Sequence, residues 1–140
     1  MSDTAFIPEE EVTVQRIEAL FKRAFYETYY DKDNDLVVKV DGSRTFIRVR
    51  EKSKVIAFTV IYGFKPEATR EQKLDVVNAM NDAKIFARFS MMLADESILL
   101  TDYFLPFDDG VGEMQIISSA RMLISTIRSA FEELSKDLIE

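Results

Sequence analysis

Residues 36–64, LVVKVDGSRTFIRVREKSKVIAFTVIYGF, decide the fold. Three runs stand out in it, LVVKV, TFIRVR and VIAFTVIYGF, rich in the β-branched and aromatic side chains that suit a pleated, half-buried surface. The first two flank DGS, a tight-turn signal, and only EKSK separates the second from the third. Strands joined this closely must run antiparallel, since parallel neighbours need a crossover of a dozen or more residues. The spacing therefore predicts a three-stranded meander.

Upstream, EEEVTVQRIEALFKRAFYETYY (residues 9–30) places Val14, Ile17, Phe21 and Ala24 at helical spacing, with Leu20 and Phe25 broadening the stripe. Glu9, Glu10 and Glu11 stand where a helix dipole favours negative charge, and DKDND ends the helix. Residues 1–8 read as a short flexible tail. Downstream, Pro66 closes the third strand, and Thr69 with Gln72 forms a capping-box pattern ahead of a helix over EQKLDVVNAMND. KIFARFSMML then alternates, with Ile85, Ala87, Phe89, Met91 and Leu93 on one side. SILLTDYFL pairs with it across ADE as a second hairpin. From Glu113 to Leu138, Ile116, Ala120, Leu123, Ile127, Phe131, Leu134 and Leu138 form one helical seam, and Ile117 and Ile124 add a flanking row for a second surface. The order α-β-β-β-α-β-β-α predicts a single α+β domain over residues 1–140, a five-stranded antiparallel sheet with helices on one face.

Composition narrows the chemistry. A chain of 140 residues with 47% hydrophobic and 31% charged side chains can enclose one core. Its net charge of -7 opposes binding to a phosphate backbone, so nucleic acid is not an expected partner. With no cysteine and no histidine, disulfides, thiolate or imidazole metal sites and the Ser-His-Asp triad cannot be built. The N-terminus lacks the order of a signal peptide and no apolar run is long enough to span a bilayer, so a cytoplasmic, membrane-free protein is expected. Asp31, Asp33 and Asp35 imitate half a calcium loop, but Leu36 stands where the turn glycine belongs and Gly42 where the bidentate glutamate belongs. The acid pairs Asp108–Asp109 and Glu132–Glu133 are adjacent and do not converge by spacing, and four scattered glycines make no phosphate loop. Catalytic residues, metal ligands and cofactors are all expected to be absent.

VVNAMNDAKIFARFSMMLADESILLTDYFLPFDDGVG (residues 76–112) resembles the YbjN family, bacterial proteins described as sensory transduction regulators. The features that carry it are Asn78 and Asn81 at the end of the middle helix, the strand with Phe86 and Phe89, the acidic turn, the second hairpin strand and Gly110, within roughly residues 74–131. The chain departs from the family's pattern in having Ala79 and Met80 where a bulky aromatic is expected between the asparagines. The resemblance implies the type III secretion chaperone fold, homodimerisation and action by binding other proteins, in regulation or as a chaperone.

Partner-binding candidates follow. Phe46, Arg48 and Arg50 share a strand face with Arg44 and could meet acidic segments of a partner. Asn78 and Asn81 either satisfy backbone groups where helix gives way to strand or hold a ligand there. Phe86 and Met92, with Leu99 and Tyr103, are expected on the sheet face opposite Phe89 and Leu100, where they would form an apolar patch. Ile117 and Ile124 complete the set. The competing expectation is a small-ligand sensor or enzyme whose pocket, between sheet and helices, uses Asn81, Arg88, Asp102 and Tyr103.

Overall fold

A computed structural model describes residues 5–140. Its elements are β1 (Phe6–Ile7), α1 (Val14–Arg23), β2 (Glu27–Tyr30), β3 (Leu36–Val40), β4 (Ser43–Arg50), β5 (Val55–Gly63), α2 (Arg70–Ala83), β6 (Arg88–Met91), β7 (Ile98–Pro106), β8 (Val111–Gly112) and α3 (Glu113–Leu134). The main sheet has the order β2, β3, β4, β5, β7, β6, and β1 pairs with β8 in a separate two-stranded sheet. The predicted α+β class and meander are present; the main sheet has six strands instead of five, and the element order is longer than expected.

The sixth strand is β2, from residues assigned by periodicity to the first helix. That helix starts later and stops earlier than expected. Glu9–Glu11 form a 3-10 turn, and Thr13 caps α1 by accepting the Arg16 N–H on its hydroxyl at 3.1 Å. At the far end Tyr26 N–H reaches Phe21 O and Phe25 N–H reaches Lys22 O, the paired bonds of a Schellman stop. Its left-handed residue is Phe25, at φ 69°. Without a glycine there, the sequence carries no stop signal. ETYY then pairs with β3, and the Asp31 carboxylate accepts the N–H groups of Asp33 and Asp35 to shape the following turn.

The chain divides into two compact units, Met1–Phe58 with Phe104–Met122, and Thr59–Tyr103 with Leu123–Glu140. In the first, Asp41 and Gly42 both have positive φ and join β3 to β4 by a two-residue turn, with Val40 opposite Ser43. α1 lies against β2, β3 and β4. Tyr30, whose hydroxyl donates to Glu18 at 3.1 Å, marks the face that α1 covers. By register Leu36, Val38, Thr45 and Ile47 share that face, and all four are buried. Glu113, at the start of α3, is buried and bound by Arg23 at 2.8 Å and Arg16 at 3.7 Å. Part of the expected flexible tail is also structured: Ile7 is buried and pairs with Val111, and Phe6 rests on Gly110. Gly110 has φ +101°, and a Cβ there would come within 2.2 Å of the Phe6 ring. The remainder of that tail, residues 1–4, lies outside the described residues.

In the second unit the capping box is formed as predicted: Thr69 accepts from Gln72 N–H at 3.1 Å, and Gln72 accepts from Thr69 N–H at 2.9 Å. β6 is only four residues long. Ala87, Phe89 and Met91 are buried as the alternation predicts, whereas Ile85 and Leu93 lie beyond the strand, 102% and 86% exposed. α3 ends at Leu134, four residues early, because Lys136 and Asp137 turn through positive φ and carry Ile139 to a bridge with Phe64.

Candidate functional site

Within the first unit, the face of β2–β4 away from α1 has a layered pattern fixed by register. Glu27, Lys39 and Arg44 form one row and Tyr29, Val37 and Phe46 the next. Phe46 is half-buried and Arg44, Arg48 and Arg50 are exposed, on one face as expected. Arg48 is held in a two-point pair with Asp35, at 3.2 and 2.8 Å, which raises its pKa above the ordinary arginine value. The Arg50 guanidinium lies 5.1 Å from the centre of the Phe104 ring. Lys39 pairs with Glu27 at 3.3 Å. Val37 is buried between the half-buried Tyr29 and Phe46, so the accessible part of this face is the Phe46 ring edge bordered by guanidinium groups, which suits a small apolar side chain flanked by carboxylates.

Within the second unit, Asn81 is fully engaged with Phe89. Its Oδ1 accepts the Phe89 N–H at 2.9 Å and its Nδ2 donates to the Phe89 carbonyl at 2.8 Å. The first expectation for this residue, satisfaction of backbone groups where helix meets strand, describes that contact. Asn78 is exposed on the same helix, with Ala79 half-buried and Met80 buried between them. Phe86 stacks on Tyr103 with ring centres 4.1 Å apart and an interplanar angle of 14°. Met92 is half-buried.

The structure departs from two expectations. Leu99 is opposite Met91, shares its buried face and is itself buried, while Leu100 is opposite Ser90 on the other. The β7 side of the expected alternation is therefore one residue out at Leu99 and Leu100, because a residue shares the face of the one directly opposite it, while Phe86 and Tyr103, expected together, are in contact. The flanking row of α3 is also unavailable: Ile117 and Ile124 are 5% and 1% exposed. The second surface that this flanking apolar row meets belongs to the chain itself.

The four residues of the small-ligand expectation are tied up locally. Asp102, itself buried, holds Arg88 at 2.9 and 3.0 Å, Asn81 holds Phe89, and Tyr103 is stacked on Phe86. A cleft of about 200 Å³ lies elsewhere, in the first unit, lined by Glu9, Glu10, Val12, Thr13, Glu51, Lys54 and Phe107. Glu9 pairs with Lys54 and accepts the Asp109 N–H at 3.0 Å, and its carboxylate comes within 4.8 Å of those of Asp108 and Asp109. The acidic runs EEE and DD were visible in sequence, but their meeting was not, since a hundred residues separate them.

These elements define an α+β protein with the architecture of type III secretion chaperones. SycH of Yersinia pestis, solved in complex with a stable fragment of YscM2, superimposes with a TM-score of 0.52 at 15% identity, covering 83% of this chain and 94% of that one. The chain belongs to the YbjN family, described as "Putative bacterial sensory transduction regulator", whose model matches residues 13–136. YbjN of E. coli, crystallised as "a putative transcription regulator", has the same fold, with a TM-score of 0.73 at 14% identity over 91% of this chain and 96% of that one. No curated protein sequence matches the chain. Among the described residues, no helix is long and apolar enough to cross a membrane.

Proposed function

We propose that this chain is a cytoplasmic, non-enzymatic regulator or chaperone that works as a single-domain homodimer and binds another protein. The observation that carries the reading is the fold it shares with SycH, a chaperone seen holding a protein fragment, joined to its membership of a family of regulators. The surface nominated for the partner is the α1-free face of β2–β4, with Phe46 as apolar anchor, Arg50 reading carboxylates and Arg48 doing so only in exchange for its pair with Asp35. Asn78, exposed on α2, and the half-buried Phe86 and Met92 are further candidates.

Two measurements test it. Light scattering is expected to give twice the 16.1 kDa chain mass. Affinity capture with wild type beside a Phe46→Ser/Arg48→Glu/Arg50→Glu variant is expected to retain a partner on wild type alone, with both chains equally folded by circular dichroism. A strict monomer at high concentration that captures the same proteins as the variant would overturn the proposal.

A further inference from the structure

β6 ends the main sheet, so one side of it faces no strand. Ladder alternation shows which of its peptide groups turn that way. Met92 N–H reaches Ile98 O at 3.0 Å, so even-numbered residues of this ladder bond toward β7 and odd-numbered ones point outward. Phe89 is outward. Both of its peptide groups are met by the Asn81 carboxamide, at 2.9 and 2.8 Å. A carboxamide is a peptide group carried on a side chain, and this two-point pairing is what a neighbouring strand would provide.

The sequence around the edge favours self-pairing. Exposed Ile85 and Leu93 stand four residues before and after Phe89. An antiparallel copy of β6 centred on Phe89 would join the Phe89 peptides to each other and, with the bends on either side of the strand extended, put Ile85 opposite Leu93 of the second chain, twice over. An edge with open peptide groups and exposed aliphatic flanks is a template for such association. We propose that Asn81 is an edge guard, which occupies the central hydrogen-bonding position of β6 and so prevents edge-to-edge pairing with a second copy of the chain. The role is separate from partner binding and from the proposed homodimer, whose interface must lie elsewhere.

The test is Asn81→Ala, followed by light scattering over a range of concentrations and by amide exchange at Phe89. The expected result is a species heavier than the wild-type state that grows with concentration, with Phe89 exchange at least tenfold faster in dilute samples. Adding Ile85→Lys and Leu93→Lys is expected to restore the wild-type mass. An unchanged mass at every concentration despite faster exchange would overturn the proposal, as would heavier species that the two lysines fail to reverse. Should Asn81→Ala not fold, Asn81→Asp keeps the acceptor but loses the donor, and the same two mass outcomes decide.

Discussion

Thr45 is fully buried, and its hydroxyl has no hydrogen-bond partner. Desolvating a hydroxyl without replacing its bonds to water is unfavourable, whereas an isosteric methyl loses nothing by burial. Thr45→Val is therefore expected to raise stability by about 1 kcal/mol, measured by urea denaturation. Glu133 is a solvent-side case. Ser129 donates to its carboxylate at 2.6 Å and Lys84 lies at 3.1 Å, which together hold its pKa below the ordinary 4.5. Because the folded value is the lower one, the contribution is present above the unfolded value and is lost as pH falls through the folded value. Urea midpoints recorded downward from neutral pH are expected to fall less steeply below pH 4.5 in Glu133→Gln than in wild type. Neither environment was legible in sequence: Thr45 reads as an ordinary strand residue, and Lys84 and Glu133 are brought together only by folding.

Element boundaries were legible where the signal is local. Thr69 and Gln72 announce α2 because their bonds close within one turn, and Asp41–Gly42 announces the hairpin because both residues tolerate positive φ. The end of α1 was hidden for the converse reason. Phe25 takes a left-handed position normally filled by glycine, and it is 96% exposed, so no packing of its ring compensates. Phe25→Gly removes the Cβ strain of about 1–2 kcal/mol, less the extra freedom glycine gives the unfolded chain. A net stabilisation of about 1 kcal/mol is expected, read from the shift in thermal midpoint. A drop in stability would mean that the ring has an ordering role in the Schellman turn.

For the molecule as a whole, the two units are not consecutive stretches of chain. The divisions fall inside β5, β7 and α3, so each of these elements has one part in either unit. A strand or helix that melts in one half loses cooperative backbone bonding in the other, and the single-domain proposal therefore predicts one unfolding transition. Amide exchange at Val38 in the first unit and at Leu99 in the second, followed through urea, is expected to report the same midpoint. Separate midpoints would divide the chain into two independently stable parts.

The sequence by itself determined the α+β class, the meander, the capped middle helix and the family, since these rest on side-chain period, turn residues and short-range hydrogen bonds. Tertiary structure alone decided the sixth strand, the burial of Ile117 and Ile124, the register that buries Leu99, and the engagement of Asn81 with Phe89. The burial of Ile117 and Ile124 depends on which distant surface covers them, and the other three depend on pairings between neighbouring elements that no side-chain period specifies. A helical or alternating pattern states that a face is apolar; only the folded chain states what lies against it.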